Sequence, residues 1–99
     1  MPNRATTTVT REQFMEACEA VWSEIEYQNS LERRTGDEAK EPAGFFTLGH
    51  VYLNRGEALW ADNAGTEACL PSLRKLAAIF VRGMVYCGIT YRETPTTVA

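Results

Sequence analysis

The chain has one histidine, His50, and three cysteines set far apart at 18, 69 and 87. Neither set builds a familiar site. A zinc knuckle needs Cys or His ligands at short spacings, a redox pair needs neighbouring thiols, and an odd cysteine count does not close a disulfide framework. His50 also has no Ser or Cys in a nucleophile setting, so it reads as a surface residue, and the cysteines read as reduced structural thiols of a cytoplasmic protein. Long apolar runs are missing too. The longest, Leu76 to Ile89, is interrupted by Arg82 and falls short of the ~20 residues that span a bilayer. The amino-terminal Met1-Pro2-Asn3-Arg4-Ala5 offers no apolar signal segment. No membrane partner is expected.

Positive charge is scarce overall. Ten Lys and Arg against thirteen Asp and Glu leave a formal charge of -3, which excludes a general electrostatic grip on nucleic acid. A phosphate ligand held by a few local cations is compatible with that balance. Alternating strand patterns and internal repeats are also absent. Hydrophobic residues at 44% and charged residues at 23% are ordinary for a packed domain, and 99 residues make a single one, near the size where one core barely suffices.

The patterning that is present is helical. Thr10 precedes Gln13 by three residues, the spacing of a capping box, and Phe14, Cys18, Val21 and Ile25 then recur on one stripe. A first helix is expected over about 10–31, after a flexible lead-in at 1–9. The Gly-, Pro- and charge-rich stretch from Arg33 to Pro42 is a loop, and Pro42 suits the first turn of a second helix over about 42–62. That helix places Phe45, Gly49, Tyr52, Gly56 and Leu59 on one face, and two glycines in a stripe call for close approach of a helix or ligand. Asp62-Asn63-Ala64-Gly65 reads as a stop.

A third helix is expected over about 70–88, with Leu73, Leu76, Ala77, Phe80, Met84 and Cys87 in one stripe and Ile79, Val81 and Val85 elsewhere on its surface. A helix apolar on most sides is buried on most sides. Two companions from the same chain hardly cover it, so the expected architecture is an all-α, three-helix subunit in a homodimer or larger helical bundle. The helical domain spans 10–90, followed by a flexible tail at 91–99. Charge is segregated: carboxylates crowd the first helix, while Arg74, Lys75 and Arg82 share a stretch from Ala68 to Arg92 with no carboxylate. Complementary packing of first and third helices follows.

Ser23-Glu24-Ile25-Glu26-Tyr27-Gln28, the break near Gly36, the Gly56-Glu57 pair and the apolar third helix together resemble the MazG-like all-α nucleoside triphosphate pyrophosphohydrolases. The likeness covers residues 14 to 90 and is nearest to the short, divergent forms of phages and mobile gene cassettes. It implies hydrolysis between the α and β phosphates of a nucleotide, with Mg²⁺ held by carboxylates of two facing helices. The family's Glu-Glu-x-Gly-Glu is represented by Leu53-Asn54-Arg55-Gly56-Glu57, and its third-helix Glu-x-x-Asp pair has no counterpart. The metal set is depleted. Weak or absent hydrolysis is therefore the expectation, with a nucleotide ligand retained.

The candidate ligand-binding residues are Glu24, Gln28, Asn54, Glu57 and Arg82. Glu24 and Gln28, four apart, face either a ligand or each other. Asn54 offers a neutral oxygen. Glu57 is either a surviving Mg²⁺ ligand or an ion-pair partner of Arg55, Arg74 or Arg82. Arg82, alone in an apolar helix, must meet a carboxylate or a phosphate. Glu16 and Glu19 lie on the solvent side of the first helix, and Trp22, Tyr52, Trp60 and Tyr86 are core or interface aromatics before they are base-stacking ones. The competing functions are a phage or mobile-element module that docks another protein, and a protein that sequesters a nucleotide signal without cleaving it.

Overall fold

The computed structural model describes residues 8–31 and 41–93. Three helices, α1 (Arg11–Ser30), α2 (Pro42–Ala61) and α3 (Thr66–Cys87), follow in order, with no strand among the described residues. The all-α expectation holds. Most of the anticipated lead-in, residues 33–40 of the anticipated loop and the tail beyond 93 lie outside the described residues.

Local chemistry sets the helix ends. The Thr10 hydroxyl accepts from the Gln13 backbone N–H and the Gln13 side chain accepts from the Thr10 N–H, both at 3.0 Å, completing the capping box. Pro42 opens α2, where its missing N–H costs nothing. At the other end of α2 the Ala64 N–H bonds the Leu59 carbonyl at 3.1 Å and the Asn63 N–H bonds that of Trp60 at 3.0 Å. With Asn63 at φ 58°, this is a Schellman stop, the role assigned to the Asp62–Gly65 stretch.

The start of α3 differs from expectation. It begins at Thr66, so Pro71 sits inside the helix rather than at its entrance. The first four N–H groups of any helix are unpaired, and a proline in the second turn removes one further bond. Glu67 favours the first turn through the helix dipole, and the extension half-buries Cys69.

α3 is the shared element: α1 and α2 each pack on it and make no contact with each other. The α2–α3 pair is antiparallel and close because three glycines make room. A Cβ on Gly49 would stand 2.5 Å from the Phe80 ring, one on Gly56 3.0 Å from Ser72 Cβ, and one on Gly83 3.0 Å from the Phe45 ring. The two glycines of the α2 stripe thus serve a neighbouring helix. The Phe45 ring also lies against Tyr86, with centroids 6.0 Å apart.

Little is enclosed by this arrangement. Among the described residues only Glu24, Phe45, Gly49, Ala78 and Ile79 are buried. Phe14, expected on the inner stripe of α1, is 56% exposed, because α1 touches a single helix. On α3, Leu70, Leu73, Phe80 and Met84 keep 50%, 64%, 42% and 48% of their surface in solvent although the helix has both companions.

Gly49→Val is expected to lower stability by about 1–3 kcal/mol, since the added branches cannot share space with the Phe80 ring. Thr10→Ala should cost about 1 kcal/mol through the lost cap. Urea unfolding followed by circular dichroism checks both, and an unchanged midpoint for Gly49→Val would contradict the close α2–α3 approach.

Candidate functional site

A polar row crosses the α1–α3 contact. Glu24, buried on α1, accepts from Arg74 Nε at 2.9 Å through Oε1 and from Gln28 Nε2 at 3.3 Å through Oε2. Gln28 in turn accepts from Arg82 Nη1 at 3.1 Å through its amide oxygen. The order is cation, carboxylate, amide, cation. Gln28 presents its NH₂ to the carboxylate and its oxygen to the guanidinium, the one orientation that satisfies both neighbours. Helical spacing aligns the partners: Glu24 and Gln28 are one turn apart on α1, and Arg74 and Arg82 are two turns apart on the same side of α3 as Ala78.

Of the five sequence candidates, the structure brings Glu24, Gln28 and Arg82 together. Asn54 and Glu57 do not join them. Both are exposed on α2, off the face that Gly49, Tyr52 and Gly56 turn toward α3. No ion pair of Glu57 with Arg55, Arg74 or Arg82 forms among the described residues; Arg74 is taken by Glu24. Arg74 is the member that sequence reading left out of the site, although the opposition of an acidic first helix and a basic third one pointed to such a pair.

The described residues do not by themselves assemble a Mg²⁺ cage. Mg²⁺ requires several hard oxygens converging at about 2 Å. Both oxygens of Glu24 are engaged, Glu57 stands on a helix that α1 does not touch, and the described residues contain no grouping of three or more His, Cys, Asp or Glu suited to a metal.

A second polar group sits on the α2–α3 side. Arg55 Cζ lies 4.8 Å and Lys75 Nζ 4.9 Å from the centroid of the Tyr52 ring, so two cations share one aromatic partner. Trp22 and Trp60 are 52% and 62% exposed, while Tyr86 joins the Phe45 contact. Glu16, Glu19 and His50 are exposed as expected, Cys18 and Cys69 are half-buried, and Cys87 is exposed. No helix among the described residues is long and apolar enough to cross a membrane. An apolar groove of about 310 Å³ opens near the end of α3, lined by Pro42, Phe45, Phe46, Phe80, Gly83, Met84, Cys87 and Gly88.

Compared with known protein families, curated proteins and solved structures, the chain matches none.

Arg74→Met strands a buried carboxylate and should cost about 1–3 kcal/mol, whereas Glu24→Gln keeps an acceptor for the guanidinium and should cost less. In the Glu24→Gln background, Arg74→Met should add little. Additive losses across this double-mutant cycle would show that the two side chains are not coupled.

Proposed function

We propose that this chain works as a self-associating helical subunit that binds a phosphorylated nucleotide and hydrolyses it weakly or not at all. The observation that carries the assembly is the open seam of α3. Leu70, Leu73, Ala77, Phe80, Met84 and Cys87 alternate at spacings of three and four, the repeat by which two helices interlock side chains. The seam runs about 26 Å, bears no charge, and continues at Phe80, Met84 and Cys87 into the apolar groove. A second copy is self-complementary to such a stripe, because a two-fold axis brings the same residues to both sides.

Two features support binding without efficient turnover. Arg74, Lys75 and Arg82 fall in a stretch of α3, from Ala68 onward, that contains no carboxylate, a local grouping of cations suited to a phosphate. Of the resembled pyrophosphohydrolase pattern only Glu57 keeps a carboxylate on α2, and the facing α3 supplies none from Ala68 to Cys87, so the metal chemistry of that class lacks its cage. This combination suits a holder of a nucleotide signal better than an efficient hydrolase. Docking of another protein is the second reading, favoured by the 52% and 62% exposure of Trp22 and Trp60.

Light scattering at micromolar concentration should return the mass of at least two chains, and Leu73→Lys combined with Met84→Lys should reduce it to one. A cooperatively melting wild-type monomer would remove the assembly. For the ligand, the protein is incubated with each NTP and dNTP in the presence of Mg²⁺ or Mn²⁺. Binding with pyrophosphate release near background is expected, rapid release would overturn the binding-only reading, and no binding of any nucleotide would remove the ligand class.

A further inference from the structure

We infer that Tyr52, Arg55 and Lys75 form an anion site that takes the phosphate groups of the nucleotide, an inference that rests on the nucleotide reading above. Both cations lie within 4.9 Å of one ring centroid, which places them within about 10 Å of each other, roughly a Debye length at moderate salt. Neither has a hydrogen bond or ion pair among the described residues. Lys75 is half-buried, its stem lying along the helix pair. The ring attracts both cations by its quadrupole, which does not neutralise either charge. Glu57, two residues from Arg55, is turned away from the α3-facing side of α2 and pairs with neither.

A single carboxylate would match one cation. A pyrophosphate or triphosphate chain carries several charges along its length and matches both, with the Arg55 fork suited to two oxygens and Lys75 acting as a point charge. The site also has a direction. Lys75 and Arg82 are seven residues apart on one stripe of α3, about 10 Å along the axis, so the Gln28–Arg82 end of the polar row falls within reach of the sugar and base of the same ligand.

The test is isothermal titration of the assembled protein with inorganic pyrophosphate, and separately with ATP and GTP, for wild type, Arg55→Gln, Lys75→Gln and the exposed control Arg92→Gln, with light scattering in parallel. Pyrophosphate is expected to bind, each of the first two variants to weaken it roughly tenfold, and the control and the oligomeric mass to stay unchanged. Nucleotide binding that pyrophosphate does not imitate and the two variants do not weaken would overturn this site while leaving the nucleotide reading intact. Failure of pyrophosphate, ATP and GTP alike would remove the site. A change in mass instead of affinity would assign the two cations to the acidic α1 of a neighbouring copy and likewise overturn it.

Discussion

Everything in this fold depends on α3 having to serve two neighbours that do not touch. A closed three-helix bundle gives each helix two partners and shuts a core between them. Here α1 and α2 lie on separate sides of one helix, so their stability relative to each other is transmitted through α3 alone. The two contacts are built from different chemistry. On the α2 side, glycines admit aromatic rings from the opposite helix, and dispersion and apolar burial supply the attraction. On the α1 side, a buried carboxylate is held by one guanidinium and one amide. Such a pair fixes register and partner choice more than it adds stability, because desolvation offsets most of its Coulomb gain.

Much of this was legible in the chain. Helix count and type follow from apolar spacing, and the capping box and the Schellman stop were identifiable because they consist of a few side chains acting on adjacent backbone. The use of Gly49 and Gly56 for close approach was legible in outline. The sequence did not reveal whether a helix or a ligand would take the space, since a missing Cβ does not name its visitor. The entrance of α3 was misread at Pro71, where a local preference for first turns yielded to a longer helix that half-buries Cys69.

The site was legible only in part, for a geometric reason. Glu24, Gln28 and Arg82 could be singled out because each is a polar group beside an apolar stripe. Asn54 and Glu57 enter the candidate set through a motif whose other carboxylates belong to the third helix. α2 does pack on α3, but Asn54 and Glu57 are exposed off the α3-facing side of α2 and α3 offers them no carboxylate from Ala68 to Cys87, so nothing converges on them. Arg74 is absent from the candidate set because nothing local distinguishes it from Lys75; only the placement of α1 sends one toward Glu24 and leaves the other over Tyr52.

That division of adjacent cations bears on how the proposed assembly and the proposed ligand would relate. The open seam at Leu73, Ala77, Phe80 and Met84 lies on the side of α3 away from the stripe of Lys75 and Arg82, so a second copy can cover the apolar face without occluding the charged one. Association that stiffens α3 would also hold Arg74 and Arg82 in line with Glu24 and Gln28, and Lys75 in place beside Tyr52. The entropy of ordering the cations would then be spent at the proposed assembly rather than at ligand binding. By linkage, a ligand that prefers the ordered row strengthens association by the same factor. In the proposed assembly a small core would be no defect, because α3 would be completed from outside, on one side by another chain and on the other by charge.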